Sequence, residues 1–101
     1  MLANFRSYQL ALRFYREVSS LRLPSHLKSQ LLRAASSIAL CLAEGYGRKT
    51  FPDKTRFYTM ALGSLRESQA VLELGDVRSP AIKDLADHLG ACLYKLTRKT
   101  G

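Results

Sequence analysis

The chain reads as an all-α protein, an antiparallel up-down-up-down four-helix bundle formed by one domain over residues 1–101. Three observations lead there. Apolar residues recur at three- and four-residue steps along nearly the whole length, which is the period of one helix face. Prolines and glycines cut that pattern into four segments joined by short connections, and such helices pack as antiparallel neighbours. No stretch alternates with the period of two that a half-buried strand requires. With 101 residues, 47% hydrophobic and 24% charged, the chain has the size and composition of one globular domain, large enough for a single core.

The first helix is marked by Phe5, Tyr8, Leu12 and Tyr15, with Leu10, Phe14, Val18 and Leu21 widening the apolar face. Leu23-Pro24-Ser25 interrupts it, because a proline disfavours helical geometry in the residue before it. Ser25 is the expected side-chain cap of a second helix starting near His26.

That second helix is apolar around most of its circumference: from Leu31 to Ala43 the polar residues are Arg33, Ser36 and Ser37. Such a helix should be buried on more than one side. The small residues Ala34, Ala35, Ser36 and Ala39 would admit a close neighbour. Self-association is the inference, with Leu31, Ala35, Ile38, Ala39 and Leu42 as the expected oligomer interface. Gly45-Tyr46-Gly47 should end the helix through a left-handed glycine.

Pro52 and Asp53 suit the first turn of a third helix, whose face is Phe57, Ala61, Leu65, Ser68 and Leu72, with Gly75 as its stop. Ser79-Pro80 repeats the cap-plus-proline start. Ile82, Leu85, Leu89, Leu93 and Leu96 carry the fourth helix to the C-terminal end.

The charge balance is the strongest compositional signal: 16 Lys and Arg against 8 Asp and Glu, a net charge of +8. An excess of this size favours polyanionic partners. Alternating helices bring the start of the first helix, the connection between the second and third, and the end of the fourth to one pole. That loop pole collects Arg6, Arg48, Lys49, Lys54, Arg56, Lys95, Arg98 and Lys99 against Glu44 and Asp53, a net of +6. At the other pole Arg22, Lys28, Arg78 and Lys83 are balanced by Glu17, Glu73, Asp76 and Asp84. Cations neutralise phosphates and aromatic rings stack on unpaired bases, and Tyr46, Phe51, Tyr58 and Tyr94 fall near the loop pole. Dipole complementation at helix ends and plugging of the core would account for the same residues without a ligand.

No catalytic constellation emerges, so the expectation is a non-enzymatic protein without cofactor. Asp84 and His88 lie one helical turn apart, a weak metal signal without further ligands, and His26 is isolated. Cys41 and Cys92 have no CxxC spacing and read as small core residues. Glu44, Gly45 and Gly47 form an expected structural corner, with Glu44, set against the helix dipole, paired to Arg48 or Arg56. No apolar run approaches the roughly 20 residues needed to span a bilayer, which makes a soluble, cytoplasmic protein the expectation.

The stretch RAASSIALCLAEGYGR, from Arg33 to Arg48, followed by RFYTMALGSLRES, from Arg56 to Ser68, resembles a bacterial four-helix-bundle family first noticed in intervening sequences of large-subunit ribosomal RNA genes. NFRSYQLALRFY, from Asn4, is similar to that family's first helix; the fourth helix matches only as a generic amphipathic pattern. The resemblance implies a homo-oligomer, typically a pentameric ring, and a distant similarity to the accessory variability protein of diversity-generating retroelements, a basic pentamer that engages a reverse transcriptase and its RNA. Glu44, Gly45, Gly47 and Arg48 match the family pattern. The chain departs from it at Ala39, where proline is usual, at Cys41, where asparagine is usual, and in a shorter stretch from Pro24 to Gln30, so a straighter second helix is expected.

The reading that results is a basic, homo-oligomeric accessory protein that binds RNA or single-stranded nucleic acid and is placed by the resemblance beside a reverse transcriptase. The alternative is an interaction scaffold whose basic pole docks on an acidic protein partner without touching nucleic acid.

Overall fold

The computed structural model describes Leu2 and residues 5–98. Four helices follow one another: α1 (Arg6–Ser19), α2 (Ser25–Tyr46), α3 (Phe51–Leu74) and α4 (Pro80–Arg98). Among the described residues there is no strand. Helix α2 packs most extensively on α3, α1 packs on α2, α3 on α4, and α1 on α4 closes the square. With short connections this is an up-down-up-down bundle, measuring 41 × 23 × 22 Å. No helix is long and apolar enough to cross a membrane.

The core is a column of Leu10, Phe14 and Val18 from α1, Leu31, Ile38 and Leu42 from α2, Leu65 and Val71 from α3, and Ile82, Leu89 and Leu93 from α4. In α1 the fully buried line is Leu10, Phe14 and Val18, while Phe5, Tyr8, Leu12 and Tyr15 pack along its margin. Helices α2 and α3 meet through small residues. Ser64 Oγ donates to Ser37 Oγ at 2.9 Å across the pair, and the fully buried Ser68 donates its hydroxyl to the Ser64 carbonyl at 2.9 Å. These bonds satisfy polar atoms that would otherwise be costly inside a core.

The residues expected at an oligomer interface lie inside the protomer. Leu31, Ala35, Ile38, Ala39 and Leu42 are all buried within the protomer. They are covered by α1 on one side and α3 on the other, so this face is buried without a second copy. Ala34, expected to receive a neighbouring helix, receives its own chain's. What α2 leaves uncovered is Leu40, 68% exposed; on α3 it is Met60, 48% exposed.

The helix ends also differ from expectation. Ser25 makes no side-chain cap; Pro24 occupies the cap position. Caps do form at Thr50, whose Oγ1 accepts from the Asp53 amide at 3.3 Å, and at Ser79, whose Oγ accepts from the Ile82 amide at 3.2 Å. Helix α2 continues through Gly45 and Tyr46, and no described glycine has positive φ. The left-handed residue is Asp76, at φ 53°. It closes α3: the Asp76 amide donates to the Glu73 carbonyl and the Val77 amide to the Leu72 carbonyl, each at 3.0 Å. This is the paired bonding of a Schellman ending, with aspartate where glycine is commonest.

Candidate nucleic-acid interface

At the loop pole the last turn of α2 is held by groups that come from other elements. The aromatic rings form an internal plug: Phe5 stands 5.1 Å from Tyr46 and 5.9 Å from Tyr58, centroid to centroid. Tyr58 is 7% exposed. Burial pushes its phenol pKa above the ordinary 10.0, with the neighbouring Tyr46 adding to the shift. Of the four aromatics expected to offer stacking surfaces, Tyr58 is thus buried, while Tyr46 packs on Phe5 and keeps 37% exposure.

Gly45 faces this plug. A Cβ there would stand 2.8 Å from Tyr58 Cε1 and 3.0 Å from Phe57 Cβ. The glycine is required by close approach, not by backbone conformation. Glu44 pairs with Arg48, Oε2 to Nη2 at 2.7 Å, which offsets a carboxylate at the negative end of the helix dipole.

The pole cations divide into two groups. Lys54 donates to the Tyr46 carbonyl at 2.8 Å and the Gly45 carbonyl at 3.3 Å, and its ammonium lies 5.6 Å from the Tyr46 ring centroid. It thereby supplies the positive charge at the end of α2 that the helix's own last turn lacks. Lys54, expected among the phosphate contacts, is placed on the carbonyls that end α2 and caps the corner. Arg48 and Arg56 converge on one ring, their guanidinium carbons 4.7 and 4.5 Å from the Phe57 centroid. Arg56 also stands 3.7 Å from Asp53. Arg48 Nε is covered and makes no hydrogen bond among the described residues.

The second group has no carboxylate partner among the described residues: Arg6, Lys49, Lys95 and Arg98, all exposed. Arg98 lies over Tyr94 at 5.4 Å. Lys99 lies outside the described residues. Beside these cations Tyr94 is 52% and Phe51 36% exposed.

The other pole is different. Arg78 pairs with Asp76 at 3.1 Å, Lys83 with Asp87 at 2.9 Å, and the Lys28 ammonium donates to the Leu21 carbonyl. A groove of about 250 Å³ opens there between α3 and α4, floored by Leu72, Val77, Ile82 and Ala86, with Glu73, Lys83 and Asp87 at its rim. Among the described residues no group of three His, Cys, Asp or Glu side chains could hold a metal ion.

Sequence reasoning located the cations but could not sort them. It also missed Lys54 as a cap, since that role depends on carbonyls eight and nine residues earlier. Comparison with curated proteins returns no match, and neither does comparison with solved structures. One family model does match, over residues 3–99, and it covers all four helices and the whole loop pole. The chain therefore belongs to the 23S rRNA-intervening sequence protein family.

Proposed function

We propose that the loop pole is a polyanion-binding face whose ligand is nucleic acid, RNA first, and that the protein acts by binding rather than by catalysis. One observation carries the reading. Each end of the bundle closes two ion pairs, but the loop pole keeps four exposed cations, Arg6, Lys49, Lys95 and Arg98, with no carboxylate partner among the described residues, whereas at the other end Arg22 and Lys28 stand among the carboxylates Glu17, Glu73 and Asp84. Unpaired Lys and Arg on one face release counterions from phosphates, the source of sequence-independent affinity. Nothing in the arrangement calls for base-specific reading. The family description, which refers to intervening sequences of 23S rRNA, is compatible with an RNA setting.

Assembly into a homo-oligomer, in its narrowest form a ring of five, belongs to the same reading. Its support has moved from the inner face of α2 to the outer one, where Leu40 is exposed on α2 and Met60 on α3.

The test is fluorescence anisotropy with a labelled single-stranded RNA over a salt series, coupled to light scattering for mass. Four phosphate contacts per protomer give a log-log salt slope of about −3 for a single strand. Replacing Lys49 and Lys95 by Glu should reduce affinity at least tenfold and flatten the slope without changing thermal stability. If the wild-type protein gives no saturable binding near physiological salt, the reading fails; an acidic protein bound in its place would favour the scaffold.

A further inference from the structure

Three rings at the loop pole are exposed, Tyr46 at 37%, Phe51 at 36% and Tyr94 at 52%, and they differ in what already engages them. Tyr46 and Tyr58 both pack on Phe5, and the Lys54 ammonium also lies over Tyr46. Phe51 and Tyr94 are exposed and make no ring–ring contact among the described residues. Phe51 has no polar handle that would explain its exposure. It stands at the first position of α3, where the cap is supplied by Thr50 and an aromatic ring is not needed.

Each of these two rings has an unpaired cation close by in the chain. Lys49 is two residues from Phe51, Lys95 follows Tyr94, and the Arg98 guanidinium lies over the Tyr94 ring. Helices α3 and α4 are packed neighbours, and the bundle is only 22–23 Å across. Both ring-and-cation pairs therefore lie within the reach of one short strand. A nucleic-acid strand alternates bases with phosphates, and rings alternating with cations match that alternation only when the bases are unpaired and free to stack. A duplex hides its base faces and is read in its grooves by a protruding helix or ribbon. The pole carries instead a four-residue connection, from Gly47 to Thr50, between two helix ends.

Resting on the polyanion-binding reading above, we infer that the ligand of the loop pole is single-stranded, with Phe51 and Tyr94 as base-stacking platforms and Lys49, Lys95 and Arg98 as the adjoining phosphate contacts. Arg6 adds charge from the start of α1.

The experiment uses the full chain and three labelled or competing probes: a single-stranded RNA of about ten nucleotides, a blunt duplex of the same length, and a base-free sugar-phosphate strand. Wild-type protein is expected to prefer the single strand over both others. Base stacking of ~1–3 kcal/mol per ring converts to a loss of roughly 5- to 150-fold for Phe51→Leu or Tyr94→Leu. Binding of the base-free strand should change less than twofold. Both rings are exposed, so the variants should keep the helical spectrum and melting temperature. The chain has no tryptophan, so Tyr94→Trp installs a single reporter whose emission should be quenched by the RNA and not by the base-free strand. Equal binding of single strand and duplex, or full single-strand affinity in the Phe51→Leu/Tyr94→Leu double variant, overturns the stacking inference while leaving polyanion binding intact. Absence of binding to all three probes removes both.

Discussion

Tyr58 occupies the space a side chain at Gly45 would need: an added Cβ would come within 2.8 Å of the ring's Cε1 and 3.0 Å of its Cδ1. The corner between α2 and α3 is closed by this contact. Gly45→Ala is expected to lower stability by about 1–3 kcal/mol, the usual cost of overpacking. Chemical denaturation measures it, and a double-mutant cycle with Tyr58→Leu should return part of the loss, because the two residues share one contact. An additive cycle would mean the clash is relieved elsewhere.

Lys54 and Lys49 separate stability from binding. Lys54 holds the two terminal carbonyls of α2, so Lys54→Gln should cost about 1–2 kcal/mol, as charge-assisted bonds to backbone do when only partly sheltered from water. Its RNA affinity should change less than threefold. Lys49→Gln should do the reverse, leaving the melting temperature in place and weakening RNA binding severalfold.

Asp76 carries the left-handed ending of α3 at φ 53°. That conformation costs a non-glycine residue roughly 1–2 kcal/mol, which aspartate tolerates better than most. The ion pair to Arg78 is highly exposed on both sides and contributes little. Asp76→Gly is therefore expected to stabilise the protein by up to about 1 kcal/mol, and Asp76→Val to destabilise it, both read from thermal melts.

Tyr58 makes stability fall in alkali. Its folded-state pKa lies above the ordinary 10.0, first because burial disfavours the phenolate and then because of Tyr46. The folded state thus holds its proton where the unfolded chain has released it, and unfolding gains from rising pH. The contribution is intact below about pH 10 and is lost as pH climbs through the raised value. Tyr58→Phe should flatten the decline in urea midpoint above pH 10.

Much of the bundle was legible in the chain. The four apolar faces, the proline starts at Pro52 and Pro80, the Ser79 cap and the stop near Gly75 follow from periodicity and local backbone chemistry, and each involves residues within a turn of one another. Ser25 was legible only as a residue able to cap, and Pro24 took the place. The glycine pair at 45 and 47 signalled a corner correctly in position and wrongly in mechanism. A glycine needed for close approach and one needed for left-handed backbone look alike until the packed neighbour is known.

The apolar circumference of α2 is the clearest division between the two levels. Sequence alone determined that the helix must be covered on several sides, because periodicity records how much apolar surface a helix carries. Which partner covers it was decided only by tertiary packing, where α1 and α3 enclose Leu31, Ala35, Ile38, Ala39 and Leu42 within a single protomer. The same holds at the loop pole. The sequence by itself determined that cations gather there, since topology and charge order are both one-dimensional facts. Whether a given cation is engaged depends on acceptors and rings brought in from other helices, and that contact set Lys54 on the carbonyls ending α2, stacked Arg48 and Arg56 on Phe57, and left Arg6, Lys49, Lys95 and Arg98 exposed.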